Sequence, residues 1–327
     1  MKRVLLVVSV ALLCCLTVLQ ARRSQQTESA RRGESAGDEQ ARLTLTFLGT
    51  GGGPRPNPTR YGPSILVQAG GEFLLFDCGR AVTIRLVQAG VPIRLVSKVF
   101  LTHLHSDHVI GVPDLLLTGW GSSGRVVPLE VWGPRGTRSM MDLMQKTFSF
   151  DIQSRRDVYE KYSSEGIRVL SRDIDEGVVF EKSGVKVTAF LVDHGPVKPA
   201  FGYRVDYRGR SVGFSGDTRP SDNLIRFTQG VDVLVHSAAN PEGLRASAEM
   251  HATPEQIEKF VAYSSTAEQV GQVFARVRPR LAVYSHIGSF EPLVAATRKA
   301  YSGPLEGADD LMTIVVGEQI DVRRPGR

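Results

Sequence analysis

Residues His103-Leu104-His105-Ser106-Asp107-His108 place three imidazoles and a carboxylate within six positions. On a turn from strand to helix, two histidines spaced by two can face one cation while Asp107 and His108 turn to a neighbouring one. Imidazole nitrogen and carboxylate oxygen suit zinc, and a site that lacks cysteine and keeps an open position is catalytic rather than structural. The same residue types end three further apolar runs. Phe190-Leu191-Val192-Asp193 leads into His194, Val212-Gly213-Phe214-Ser215-Gly216 into Asp217, and Ala282-Val283-Tyr284-Ser285 into His286, as Val99-Phe100-Leu101-Thr102 leads into His103. Gathered on one edge, these ends build a site rather than four solitary polar groups.

The elements that must position them alternate along the chain. Short β-type runs are expected at 43–48, 64–68, 72–76, 98–102, 129–132, 178–181, 185–192, 201–207, 211–215, 231–236, 281–285 and 312–316. Helices are expected at 82–89, 114–120, 137–147, 254–263, 267–277 and 291–301, with Val270, Val273, Phe274 and Val277 on one face of the fifth. About a dozen strands with helices before, among and after them point to two sheets covered by helices, in one domain from 42 to 323.

The first 41 residues read differently. Met1-Lys2-Arg3 precedes sixteen mostly apolar residues, Val4 to Leu19, so 1–21 reads as a signal peptide or an N-terminal anchor and 22–41 as a flexible linker. Such a helix reaches about 24 Å, short of a bilayer core of about 30 Å, which favours export over a stable span. A membrane tether through 4–19 remains the alternative, because Arg22 and Arg23 follow where cleavage would fall. The chain is exported, to a periplasm or outside the cell, on the first reading and membrane-anchored on the second. The formal charge of +6 falls to +4 without this stretch, a weak basic excess that does not argue for nucleic acid. Of three cysteines only Cys78 lies in the body, so no internal disulfide forms there.

The body resembles the metallo-β-lactamase-fold hydrolases, whose signature is HxHxDH followed by later His, Asp and His. That resemblance implies a four-layer αββα sandwich of two mixed sheets. It implies His103, His105 and His194 on one zinc, Asp107, His108 and His286 on a second, and Asp217 bridging both, with manganese or iron as substitute metals. Asp77, in Leu74-Leu75-Phe76-Asp77-Cys78-Gly79, matches the family's acid that orients a ligand histidine. Two such ions lower the pKa of a shared water, align it with phosphorus, sulfur or a carbonyl carbon, and neutralise the developing oxyanion. Asp107 is expected to orient that water.

Within the family the chain looks like ribonuclease Z and the arylsulfatase-like enzymes. Phe47-Leu48-Gly49-Thr50-Gly51, Phe201-Gly202-Tyr203-Arg204, Gly216-Asp217-Thr218-Arg219-Pro220 and Ser265-Thr266-Ala267-Glu268-Gln269 carry that likeness. Three features depart from it. Ribonuclease Z has a long arm that grips transfer RNA between its third-motif histidine and its bridging aspartate, whereas here 22 residues separate His194 from Asp217. The family's His-Glu pair is His236-Ser237, and the histidine it places before Ser-Thr is Ser264. That lost histidine and glutamate are the family's transition-state stabiliser and leaving-group proton donor.

The reading that follows is a di-zinc hydrolase of a small anionic or aryl ester: a sulfate ester, phosphodiester or carboxyl ester. Its alternatives are a ribonuclease Z-type enzyme processing transfer RNA 3′ ends, and a metal-binding protein with weakened catalysis. Transfer RNA is disfavoured as a partner by the absent arm and the export signal. His251 is either a substitute proton donor or a surface histidine ahead of the helix at Thr253-Pro254; His236 is either a group supporting the metal ligands or a buried strand-end histidine. Arg219 is the best candidate for touching an anionic substrate. The family likeness also implies a homodimer.

Overall fold

The computed structural model describes residues 42–241, 245 and 253–326. The leader at 1–21, the linker at 22–41, the tether at 4–19 and His251 lie outside the described residues. Among the described residues, no helix is long and apolar enough to cross a membrane.

Fifteen strands among these residues form two mixed sheets. The first has the order β15-β14-β1-β2-β3-β4-β5-β6 and the second β13-β12-β11-β10-β9-β8-β7. The strands are β1 (Leu43–Gly49), β2 (Ser64–Ala69), β3 (Glu72–Phe76), β4 (Lys98–Phe100), β5 (Leu129–Gly133), β6 (Val169–Asp173), β7 (Gly177–Lys182), β8 (Val185–His194), β9 (Val197–Tyr207), β10 (Arg210–Phe214), β11 (Val233–His236), β12 (Leu281–Tyr284), β13 (Leu305–Gly307), β14 (Thr313–Val316) and β15 (Ile320–Arg323). Helices α1 (Val82–Gln88), α2 (Ser106–Val109), α3 (Val112–Trp120), α4 (Thr137–Thr147) and α5 (Ser149–Gln153) follow strands of the first sheet. Helices α6 (Asp222–Thr228), α7 (Pro254–Ala262), α8 (Ala267–Val277) and α9 (Glu291–Arg298) belong with the second.

Period-two alternation sorts the strand residues between layers. Leu45, Phe47, Leu74, Phe76, Phe100 and Trp132 of the first sheet meet Tyr203, Val205, Phe214, Val235 and Val283 of the second in the central core. The alternate residues Leu48, Leu75, Val99 and Val131 face outward onto Leu86 of α1, Leu115 of α3 and Met141 of α4. On the other side, Leu234, Ala282 and Tyr284 pack against Leu224 of α6, Val270 and Phe274 of α8, and Leu293 of α9. Strands buried on both faces favour apolar residues on both, which is why 73–76 of β3, Val99 and Phe100 of β4 and all of β12 read as apolar runs, while Glu72 and Lys98 at the strand starts pair with each other. The result is the four-layer αββα sandwich.

Two hydrogen bonds join the sheets next to the first metal motif. The Tyr203 hydroxyl donates to Leu101 O at 2.7 Å, and Phe201 N donates to Thr102 O at 2.9 Å. They pin the end of β4, where the HxHxDH segment begins, to the middle of β9.

The β8–β9 hairpin is longer than the apolar pattern suggested. It closes at His194 paired with Val197, with Gly195 turning at a φ of 60°, so the ligand residue stands on the hairpin tip and not in a loop. The turn, β9 and β10 occupy most of the stretch between His194 and Asp217, and an arm has no place there.

Candidate metal centre

Four strand ends and one short helix deliver the ligands. His103 and His105 lie on the turn after β4, and Asp107 and His108 on α2, which is a single turn of helix. His194 ends β8, Asp217 follows β10, and His286 follows β12 in a left-handed conformation with φ of 57°. Three sets of side-chain donor atoms lie within 4.8 Å of one another: His103, His105 and His194; His103, His108 and Asp217; and Asp107, His108 and His286. His103 Nε2 and His105 Nδ1 are 2.9 Å apart. The Asp217 carboxylate lies 3.3 Å from His286 Nε2 and 3.7 Å from His108 Nε2, while Asp107 lies 3.6 Å from His286 Nε2 and 3.7 Å from His108 Nε2. The seven residues that the sequence pointed to therefore converge on one site, with Asp217 between its two halves.

This donor set fits divalent cations. His108 Nε2, His194 Nε2 and Asp217 Oδ1 are buried with no hydrogen-bond partner, although burying a polar atom unpaired costs roughly 1–3 kcal/mol. All three atoms belong to residues of the cluster, so bound cations would satisfy them together. A metal held there would polarise an electrophilic group and lower the pKa of a bound water toward neutrality.

The backbone and neighbouring side chains fix four of the five imidazoles, those of His103, His108, His194 and His286, through one ring nitrogen each. His194 Nδ1 donates to Tyr263 O at 3.0 Å, and His286 Nδ1 donates to Gly51 O at 2.8 Å. Asp77 handles two histidines at once. It accepts from His108 Nδ1 at 2.8 Å and from Thr102 Oγ1 at 3.0 Å; Thr102 Oγ1 in turn accepts from His103 Nδ1 at 3.0 Å. A carboxylate only accepts, so the Thr102 proton points to Asp77 and the His103 proton to Thr102, leaving His103 Nε2 bare for a metal.

Charge inside the cluster is finely opposed. Burial pushes the His108 imidazole down, but Asp77 and Asp217 outweigh it and hold the group well above its ordinary range. Burial likewise opposes protonation of His286, and Asp217 reverses that. Asp217 is pushed up by burial and pulled well below the usual carboxylate range by His286 and His108. His103 and His105, lacking so close a carboxylate, are lowered by burial and by their neighbouring imidazoles.

The remaining predicted residues sit around this centre. His236 is fully buried at the end of β11, its Nδ1 donating to Ser237 O at 2.6 Å, and burial lowers its pKa to about 4, so it is neutral. It makes no hydrogen bond to a metal ligand. Arg219 is held on Asp193, guanidinium to carboxylate, at 2.5 Å. The two serines in place of the family's donor pair are both committed: Ser237 Oγ donates to Gly216 O and Ser264 Oγ to Phe260 O, each at 3.0 Å. Cys78 is buried and burial raises its thiol pKa, in keeping with a packing role.

Five supporting residues were given no role by the sequence alone. Thr102 and Tyr263 act through an adjacent hydroxyl and a main-chain carbonyl, which residue type alone does not announce. Gly51 and Gly53 belong to the Gly49-Thr50-Gly51-Gly52-Gly53 run, whose glycine density was the available signal. A Cβ on Gly53 would lie 1.7 Å from Asp107 Oδ2, so only glycine lets this loop close over the carboxylate. Asp310 anchors the loop, accepting from Thr50 N at 2.9 Å, Thr50 Oγ1 at 2.6 Å and Tyr61 N at 2.9 Å, with Arg85 at 3.3 Å.

The chain is similar to proteins of this kind throughout its body. It is 34% identical over 284 residues to the ribonuclease Z of Mycolicibacterium gilvum (strain PYR-GCK), covering 84% of this chain and 96% of that protein. The same identity holds over 282 residues with the ribonuclease Z of Mycobacterium avium (strain 104), covering 84% and 98%. Among solved structures, the human short-form tRNase Z aligns with a TM-score of 0.61 at 24% identity, covering 83% of this chain and 98% of that one. The metallo-β-lactamase-fold protein YhfI from Bacillus subtilis aligns with a TM-score of 0.63 at 19% identity, covering 84% and 100%. A family model described as anti-Pycsar protein Apyc1 matches residues 43–267. By its fold, its ligand cluster and these relatives, the chain belongs to the metallo-β-lactamase-fold hydrolases, in their ribonuclease Z branch, and to the Apyc1 family whose model it matches.

Proposed function

We propose that this protein is a phosphodiesterase with a two-zinc centre: His103, His105 and His194 hold one ion, Asp107, His108 and His286 the other, and Asp217 bridges them. The observation that carries this reading is the convergence of those seven side chains with His108, His194 and Asp217 left unpaired in the site. Curated relatives at 34% identity are named for ribonuclease activity, and this supports a phosphodiester over the sulfate and carboxyl esters that the sequence left open. RNA with a 3′ extension is accordingly the first substrate to test. Asp107 and Asp217 hold the attacking water in place.

A second reading, a small phosphodiester in place of transfer RNA, is favoured by the β8–β9 hairpin, which turns directly at Gly195-Pro196 without an arm. The exported or anchored placement proposed from 1–21 favours the same reading. The test compares turnover of precursor transfer RNA with that of bis-(p-nitrophenyl) phosphate by the zinc-loaded chain, with Asp217→Ala as control. Turnover of either that Asp217→Ala abolishes supports the phosphodiesterase; the faster of the two selects the substrate class. No turnover of either, or turnover that survives Asp217→Ala, overturns it.

A further inference from the structure

The chain lacks the histidine and glutamate with which its relatives' likeness would assist the leaving group, and the serines in their places cannot substitute. A hydroxyl has one proton to give, and those of Ser237 and Ser264 are given to Gly216 O and Phe260 O. His236 is neutral and enclosed within the protein. One residue before Ser264 stands Tyr263, on the turn that closes α7. Its carbonyl oxygen holds His194 Nδ1, and its ring meets the His194 ring edge-on with centroids 5.9 Å apart.

The Tyr263 side chain also rests on Gly195, where a Cβ would come within 2.6 Å of the tyrosine Cβ. The phenol is therefore carried beside the hairpin tip that presents His194. Its hydroxyl has no hydrogen-bond partner among the described residues, and the side chain is partly exposed, not enclosed in the core.

We propose that Tyr263 supplies the hydrogen bond to the leaving oxygen that the missing histidine would otherwise give; this rests on the phosphodiesterase reading above. In the step, the attacking water oxygen forms a bond to phosphorus while the bond from phosphorus to the leaving oxygen breaks, its electron pair remaining on that oxygen. The Tyr263 O–H points its hydrogen at the departing oxygen as charge develops there. The proton shed by the water and the proton finally taken up by the leaving group are exchanged with solvent. A donor of this kind stabilises a poor leaving group more than a good one, because more charge accumulates on the poor one.

The test uses the zinc-loaded full chain and methyl aryl phosphodiesters whose leaving groups run from nitrophenol to unsubstituted phenol. Tyr263→Phe keeps the ring on Gly195 and the carbonyl on His194, so metal content should match wild type. The expected result is a loss in kcat of about tenfold to a hundredfold on the phenyl ester and less than about threefold on the nitrophenyl ester, a steeper leaving-group dependence. Ser264→Ala should leave that dependence unaltered. Equal losses on both esters would make Tyr263 a packing partner of His194, and no loss on either would leave it without a part; both overturn the proposal. A wild-type chain that turns over none of the esters refutes the phosphodiesterase reading itself, a separate outcome from an unaltered slope.

Discussion

Replacing Gly53 by alanine isolates the loop that closes over Asp107. A methyl group there would sit 1.7 Å from Asp107 Oδ2, 2.4 Å from its Cγ and 2.6 Å from its Cβ. Unstrained contact needs about 3.5 Å, so the carboxylate or the loop must retreat by roughly 1.8 Å. A zinc–oxygen bond of about 2.0–2.2 Å does not survive such a shift. The loop itself is held at its other end by the Asp310 network, and Asp107 is buried on α2, so neither side yields freely. The crowding should cost about 1–3 kcal/mol of stability, which leaves the fold intact. Metal content measured by plasma emission after dialysis should fall from two ions per chain to about one, and kcat on bis-(p-nitrophenyl) phosphate should fall at least about a hundredfold. A Gly53→Ala chain that keeps two ions and turns over within twofold of wild type would refute the argument that this glycine makes room for a ligand.

Three further perturbations address the groups around the ligands. Asp77→Asn offers His108 Nδ1 and Thr102 poorer acceptors, and metal affinity in a chelator competition should drop about tenfold to a hundredfold; unchanged affinity would show that Asp77 is a bystander. Asp310→Ala leaves Arg85 buried without its carboxylate and frees the Thr50–Tyr61 loop, with an expected loss of about 3–5 kcal/mol by urea denaturation; a loss below about 1 kcal/mol would contradict the anchoring role. The pH response should change sign with metal. In the metal-free chain His108 and His286 have raised pKa values, so their contribution to stability is full below about 6.5 and is lost as pH rises through their folded values. Asp217, depressed, contributes above the usual carboxylate range and loses that contribution only in acid. Metal binding displaces the histidine protons, so affinity should weaken as pH falls. Melting curves near pH 6 and pH 8 should shift in opposite directions for metal-free and zinc-loaded protein, and parallel shifts would refute the assignment.

The central layers were legible in the sequence because strands buried on both faces leave uninterrupted apolar runs, as in β3 and β12, and helix α8 carries an apolar stripe. Strand β6 was not, since Val169 and Leu170 are its only apolar residues and it pairs on one side alone, at a sheet edge. Strand β15 is another edge, with Asp321 and Arg323 on its outward face. Helix α2 is one turn inside the metal motif, too short to show a period, and α6 spans only seven residues. The ligands themselves were visible because imidazole and carboxylate at four apolar strand ends is a chemical pattern. Their support was less so: a main-chain carbonyl at Gly51 or Tyr263 leaves no trace in residue type, and Arg219 is drawn to Asp193 by a hairpin contact that no local pattern reveals.

The most direct test of the central claim is a zinc titration of the metal-free full chain, followed calorimetrically, beside the same titration of Asp217→Ala. Two equivalents for wild type, with one or none for Asp217→Ala, is the predicted result. A wild-type chain that takes up no zinc, or an Asp217→Ala chain that binds two equivalents with undiminished affinity, would contradict a centre built on these seven side chains.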